Sequence, residues 1–125
     1  MQRFAIIALV LSAFVFTARP AQAQVLTKSG TCPGIMNFQV TGAAPFSRLA
    51  FIHSANTGSW VIPGGIICGT MSTGLAWPVT FGGWVNANGS GSASVNVNVA
   101  SASCGRFLQV IDTITCTPTN VVVIN

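Results

Sequence analysis

The sequence is short of charge. Of its 125 residues only five are Lys or Arg, one is Asp or Glu and one is His, whereas 50% are hydrophobic. The basic residues are scattered and form no clustered stripe of the kind that nucleic-acid binding requires, so we expect no nucleic-acid partner. A surface with so few charges depends on Ser, Thr, Asn and Gly for solubility, and it opposes association only weakly.

The scarcity of ionisable side chains also limits catalysis. His53 and Asp112 are the only plausible acid–base pair for catalysis, because the chain has one histidine and no second carboxylate side chain. It also has no G-x-S-x-G motif that would mark a nucleophilic serine. The more ordinary interpretation is that His53 ends a strand and that Asp112 caps a turn near Thr113 or Thr115. We therefore expect a protein that is not an enzyme, with no catalytic residue and no cofactor.

Residues 1–23 have the three parts of a secretory signal. Arg3 supplies the positive start, residues 4–16 are apolar apart from one serine, and residues 21–23 fit the small-x-small rule for cleavage. The apolar run is short for a membrane span, which disfavours an uncleaved anchor, and no later segment restores one. We therefore predict a secreted or cell-surface protein in which residues 24–125 form a single domain.

Short strands account for the rest of the chain, because no helical periodicity longer than two turns follows residue 23. The predicted strands are 25–29, 36–41, 47–54, 59–62, 77–85, 92–100, 106–114 and 119–124. Strands 47–54 and 106–114 are apolar on both faces, which indicates a central position. This spacing predicts an all-β fold, an antiparallel β-sandwich of about seven to eight strands.

The pair of strands at 79–85 and 92–100 gives the strongest local pattern. Valine alternates with asparagine or serine from Ser94 to Val99, so one face is apolar and the other polar. Residues 86–91 between the strands form a Gly/Asn/Ser cluster that favours chain reversal, and this predicts a β-hairpin. Gly82-Gly83 interrupts the alternation and indicates a bulge or a close backbone approach.

All four cysteines follow the signal-like segment, and an even number in a small exported domain indicates two disulfides. A zinc site is disfavoured because there is no C-x-x-C pair, so we expect no bound metal. If the eight predicted strands simply alternate up and down, Cys32 and Cys116 lie at one end of the sandwich and Cys68 and Cys104 at the other. We therefore predict the pairs Cys32–Cys116 and Cys68–Cys104, which a crossover between sheets would change.

Several short motifs follow one another in a recognisable order. They are Cys32-Pro-Gly34, Phe38-Gln-Val-Thr-Gly42, Gly58-Ser-Trp-Val-Ile-Pro63, Cys68-Gly-Thr70, Ala102-Ser-Cys-Gly105, Leu108-Gln-Val-Ile-Asp112 and Cys116-Thr-Pro-Thr-Asn-Val-Val122. This order resembles a small secreted module of bacterial extracellular proteins, an immunoglobulin-like β-sandwich, over nearly all of residues 24–125. The resemblance implies that fold and an extracellular location. It implies no activity, because the module has no assigned catalytic residues.

Two classes of function remain. The first is a non-enzymatic extracellular structural module for surface adhesion or assembly, whose partner is another copy, in a homo-oligomer or fibre, or a cell-surface or matrix component. The charge-free run 120–125 can pair with a neighbouring subunit's sheet edge, although pairing inside its own domain is favoured. The second is a carbohydrate or small-ligand binding module that uses Trp60, Trp77 and Trp84 as a platform, since aromatic rings stack on ligand faces. The alternative is that these tryptophans belong to the core.

Overall fold

The structure is a computed structural model that describes residues 24–125, and the predicted signal segment lies outside the described residues. Eight strands form two antiparallel sheets, which confirms the all-β prediction. The strands are β1 (Val25–Ser29), β2 (Gly34–Thr41), β3 (Arg48–Ser54), β4 (Val79–Asn86), β5 (Ala93–Val99), β6 (Phe107–Asp112), β7 (Thr117–Pro118) and β8 (Val122–Val123). No helix within the described range is long and apolar enough to cross a membrane.

The strands divide unequally between the sheets. Sheet A has the order β1-β2-β5, and sheet B has the order β4-β3-β6, with β7 and β8 both pairing along the far side of β6. The terminal run 120–125 thus pairs inside its own domain, as the favoured interpretation predicted. The bulge is also confirmed, because the register between β3 and β4 shifts where Phe51 and Ile52 face Gly83 and Phe81.

The main core lies between the two sheets. Leu26, Met36 and Val40 of sheet A are fully buried, as are Leu49 and Val110 of sheet B. Alternate residues of a strand point to one face, so these positions follow from the period-two pattern of each strand. Each such side chain contributes about 1.5–3 kcal/mol to folding when it is removed from water.

A second core lies on the outer face of sheet B. It is formed by Ala50, Ile52 and Ile111 of β3 and β6, and it packs against Ile62 and Leu75. These last two belong to residues 55–78, the connection between β3 and β4, which we call the cover loop. The second core explains why β3 and β6 are apolar on both faces, because one face meets sheet A and the other meets the cover loop.

The cover loop is an irregular hairpin rather than part of a sheet. Its two arms are joined by isolated bridges between Thr57 and Leu75 and between Val61 and Ser72. The prediction of a sheet strand at residues 59–62 is therefore wrong. The side chain of Gln109 on β6 holds the loop to the sheet by accepting a hydrogen bond from the backbone N–H of Gly74 at 2.9 Å.

The predicted hairpin between residues 79–85 and 92–100 is also wrong. The strands are present, but β4 pairs with β3 and β5 pairs with β2, so the intervening segment crosses from sheet B to sheet A. The crossing is held against the β2–β3 connection, because Ala43 N–H donates to Gly91 O at 3.0 Å and Phe46 N–H donates to Asn88 O at 3.0 Å. Gly91 has φ +76° and a Cβ there would lie 2.0 Å from Ala43 O, so only glycine fits this approach.

The predicted disulfide pairing is wrong for a related reason. The structure pairs Cys32 with Cys104 and Cys68 with Cys116. Counting residues 59–62 as a sheet strand added one reversal of direction and so placed Cys104 at the wrong end. Without that strand, Cys32 and Cys104 lie at the same end of the sandwich. The cover loop then carries Cys68 along the outer face of sheet B to the turn that holds Cys116.

Digestion of the unreduced protein tests this pairing. Trypsin cuts after Lys28, Arg48 and Arg106, so the observed pairing leaves the three cysteine peptides joined in one species, whereas the rejected pairing releases 49–106 on its own. After further cleavage at the methionines at 36 and 71, the disulfides should still join peptide 29–36 to peptide 72–106 and peptide 49–71 to peptide 107–125. Mass spectrometry that finds 29–36 joined to 107–125 would contradict the structure.

Candidate binding groove on the outer face of sheet B

An apolar groove lies between the cover loop and the free edge of sheet B. Its floor is the second core, and the buried residues Ala50, Ile52 and Ile111 line it. Its walls come from β4 and from the cover loop, and the lining residues of these walls are Trp60, Ile62, Gly65, Ile66, Ile67, Val79, Phe81 and Trp84. Thr113 also lines the groove. The groove has a volume of about 530 Å³, within the usual range of small-molecule pockets.

The bulge in β4 creates the aromatic wall of the groove. Phe81 and Trp84 are three residues apart, and in a regular strand they would point to opposite faces. Here both lie on the outer face, because Phe81 is opposite Ile52 and Trp84 is opposite Ala50. Their ring centroids are 4.9 Å apart with an interplanar angle of 58°, a tilted aromatic contact.

The tip of the cover loop supplies the facing wall. Ile66 and Ile67 lie there with 58% and 59% of their surfaces exposed, while Phe81 and Trp84 across the groove are 52% and 40% exposed. Single exposed apolar side chains are ordinary, but several that face one cavity form a patch of the kind that marks an interaction site.

Two of the three predicted platform residues line this groove, and the third packs against one of them. Trp60 is half-buried and anchored, because its carbonyl oxygen accepts from the backbone N–H of Thr73 at 2.8 Å and from the Thr73 hydroxyl at 2.9 Å. Trp77 is exposed and its ring lies 5.4 Å from that of Trp60 at an interplanar angle of 36°. Trp84 lines the opposite wall. The tryptophans therefore share one region, but they do not form a flat platform.

The groove itself carries no charged lining residue. Arg48 lies at its margin, with the guanidinium carbon 4.2 Å from the centre of the Trp84 ring, which is a cation–π contact. Sequence reasoning identified the tryptophans and missed Phe81, Ile66, Ile67 and Arg48. The signal that could have found Phe81 was the Gly82-Gly83 bulge, since an extra residue returns position 84 to the face of position 81.

The two candidate acid–base residues do not meet. His53 lies opposite Leu108 on β6, whereas Asp112 lies four residues further along that strand, about 13 Å away at the usual rise of a strand. Arg106 Nε–H donates to His53 Nδ1 at 2.8 Å. Burial lowers the pKa of His53, and the charge of Arg106 lowers it further, so the imidazole stays neutral near pH 7.

Asp112 instead organises one end of the sandwich. Its buried carboxylate accepts hydrogen bonds from the Ser47 hydroxyl, from Ala44 N–H at 2.8 Å, and from Ile114 N–H and Thr115 N–H at 2.8 and 3.3 Å. The carboxylate thus caps the turn after β6, as predicted, and ties it to the β2–β3 connection. Burial raises the pKa of Asp112, but these hydrogen bonds outweigh burial and hold the pKa below its usual value.

Comparison with known proteins gives no relative: the chain matches no protein-family model, no curated protein and no solved structure. The resemblance to a secreted bacterial module therefore stays a prediction.

Asp112→Asn should lower the free energy of unfolding and make that free energy less dependent on acid. The amide loses an acceptor and faces backbone N–H groups with its own N–H, so we expect a loss of about 2 kcal/mol at pH 7, measured by urea unfolding. The folded-state pKa lies below the unfolded value, so the carboxylate's contribution is complete above about pH 4 and is lost as the pH falls through the folded-state pKa.

Asp112 is the chain's only acidic side chain, and His53, whose pKa is also lowered by burial, adds an acid dependence that the wild type and the variant share. The Asp112→Asn variant keeps His53, whose contribution to the acid dependence serves as an internal control. Stability that falls equally steeply in the wild type and the variant as the pH is lowered from about 5 to about 2 would contradict the assignment.

Proposed function

We propose that this protein is a non-enzymatic extracellular β-sandwich module that attaches to an apolar surface of an extracellular partner, in adhesion or in assembly. The observation that carries the proposal is the groove between β4 and the cover loop, where exposed apolar side chains converge on one cavity without a lining charge. A surface of this kind gains free energy when a partner removes it from water, at about 25 cal/mol per Å² of apolar area.

The extracellular location is supported by two features. Residues 1–23 have the pattern of a secretory signal. All four cysteines within residues 24–125 are in disulfides, and such bonds persist in oxidising compartments.

The distribution of strands supports the immunoglobulin-like resemblance, because in that fold the first, second and fifth strands share one sheet and the third and sixth share the other.

The lining of the groove favours an apolar partner over a sugar. Sugar binding uses aromatic stacking together with hydrogen bonds to the hydroxyl groups, and Thr113 is the one polar side chain among the lining residues apart from the Trp60 and Trp84 indole N–H groups. A second candidate function, binding of a small ligand, is favoured by the convergence of Trp60, Trp77 and Trp84 around this region.

Adhesion to an alkyl-coated sensor surface tests the proposal. Ile66→Ser with Ile67→Ser removes two exposed side chains of the groove, and we expect about tenfold weaker adhesion, equivalent to about 1.4 kcal/mol. The matched control is Ile35→Ser with Ile114→Ser, since these isoleucines are 73% and 63% exposed and lie outside the groove lining. An equal loss in both variants would mean that general hydrophobicity, and not the groove, drives adhesion.

A glycan array separates the second candidate function from the first. Binding to a defined sugar that is abolished by Trp84→Ala, together with adhesion that does not depend on Ile66 and Ile67, would replace the adhesion proposal with a ligand-binding one. Circular dichroism of each variant checks that the sandwich is intact.

A further inference from the structure

We propose that two copies of the chain associate by antiparallel pairing of their β5 strands about a twofold axis near Asn96. This inference goes beyond the proposed function, because β5 is an edge of sheet A and lies outside the lining of the groove on sheet B. The partner is a second copy, and the contact joins two three-stranded sheets into one sheet of six strands.

The other strand edges within residues 24–125 are protected. On β1, the backbone N–H and carbonyl of Leu26 are both bonded to the Asn120 side chain, at 2.8 and 3.0 Å, and Lys28 Nζ donates to Val123 O. Strand β4 carries the Gly82-Gly83 bulge, and β7 and β8 have two residues each. Bulges, short strands, lysines and covering segments are the devices that keep sheet edges from pairing with other chains.

Strand β5 has none of these devices. It pairs with β2 over seven consecutive residues without a register shift, and its other side has no partner strand in the described structure. The strand contains no charge, no proline and no glycine. It therefore presents a regular row of backbone donors and acceptors, which is the template that strand addition requires.

The sequence of β5 is compatible with itself when reversed. Antiparallel pairing centred on Asn96 places Val95 opposite Val97 of the second copy and places Ser94 opposite Asn98, so apolar residues meet apolar ones and polar residues meet polar ones. A twofold axis brings like residues together, so a charged strand would repel its copy. The absence of charge removes this repulsion.

The contact would also remove part of the apolar face of β5 from water. Val95 and Val97 line a cavity of about 400 Å³ that opens between the free edges of β4 and β5 and reaches the core at Phe38, Phe51 and Leu108. The second copy's valines continue this apolar wall beyond the edge. A contact made by one pair of strands is smaller than a standard protein interface, so the dimer should be weak and should form at high protein concentration.

Charged variants of β5 test the inference by sedimentation equilibrium at low ionic strength. The wild-type mass should rise towards twice the monomer mass as concentration increases. Asn96→Lys with Asn98→Lys, and separately Asn96→Asp with Asn98→Asp, should each raise the dimer Kd on the order of tenfold, because like charges at position 96 then face each other across the axis and those at position 98 lie close by. An equimolar mixture of the two variants should regain the wild-type affinity, since opposite charges then meet across the axis.

The matched control places the same charges on the other edge of sheet A. Thr27→Lys with Ser29→Lys changes two exposed residues of β1 and should leave dimerisation unchanged. Wild-type protein that stays monomeric, β5 variants that dimerise normally, or a mixture that does not recover would each overturn the inference. Adhesion to the alkyl surface, measured on the same variants, reports on the groove separately, so failure of one idea is distinguishable from failure of the other.

Discussion

The arrangement of the molecule depends on two adjacent strands, β3 and β6, that are apolar on both faces. Sheet A packs against one face of this pair. The opposite face is also apolar, so a different segment has to cover it. The cover loop does this with Ile62 and Leu75, and the Cys68–Cys116 disulfide fastens it to the turn after β6. Because the loop is irregular and lacks sheet pairing with β3, its position depends on side-chain packing, on Gln109 and on that disulfide.

Incomplete coverage by this loop produces the candidate site. The loop packs over the middle of sheet B but stands away from β4, and the bulge turns Phe81 and Trp84 into the remaining gap. A tighter loop would bury these rings, and a regular β4 would turn one of them to the inner face. The groove is therefore a consequence of how the second core is built, and it needs no separate structural element.

The sequence pattern shows where the strands lie, but it does not show which strands pair with each other. The sequence pattern located β1, β2, β3, β5 and β6 to within two residues at each end, because burial on one or both faces leaves a local pattern. Pairing is not local: residues 86–91 have the composition of a hairpin turn, yet contacts with Ala43 and Phe46 direct the chain to the other sheet. The wrong disulfide pairs followed from one extra strand at residues 59–62, and the groove was missed because it joins β4 to a loop distant in sequence.

The few charged side chains of residues 24–125 are all engaged within the molecule. Asp112 caps a turn, Lys28 bonds the terminal segment over the edge of β1, Arg48 lies on Trp84, and Arg106 bonds His53. None is left to guard β5 or to line the groove. Charge is one of the devices that protect an exposed strand edge or apolar patch from association, so a chain that uses its charges internally leaves these two surfaces without that protection. The scarcity of charged side chains is therefore the common physical reason for both proposed contacts.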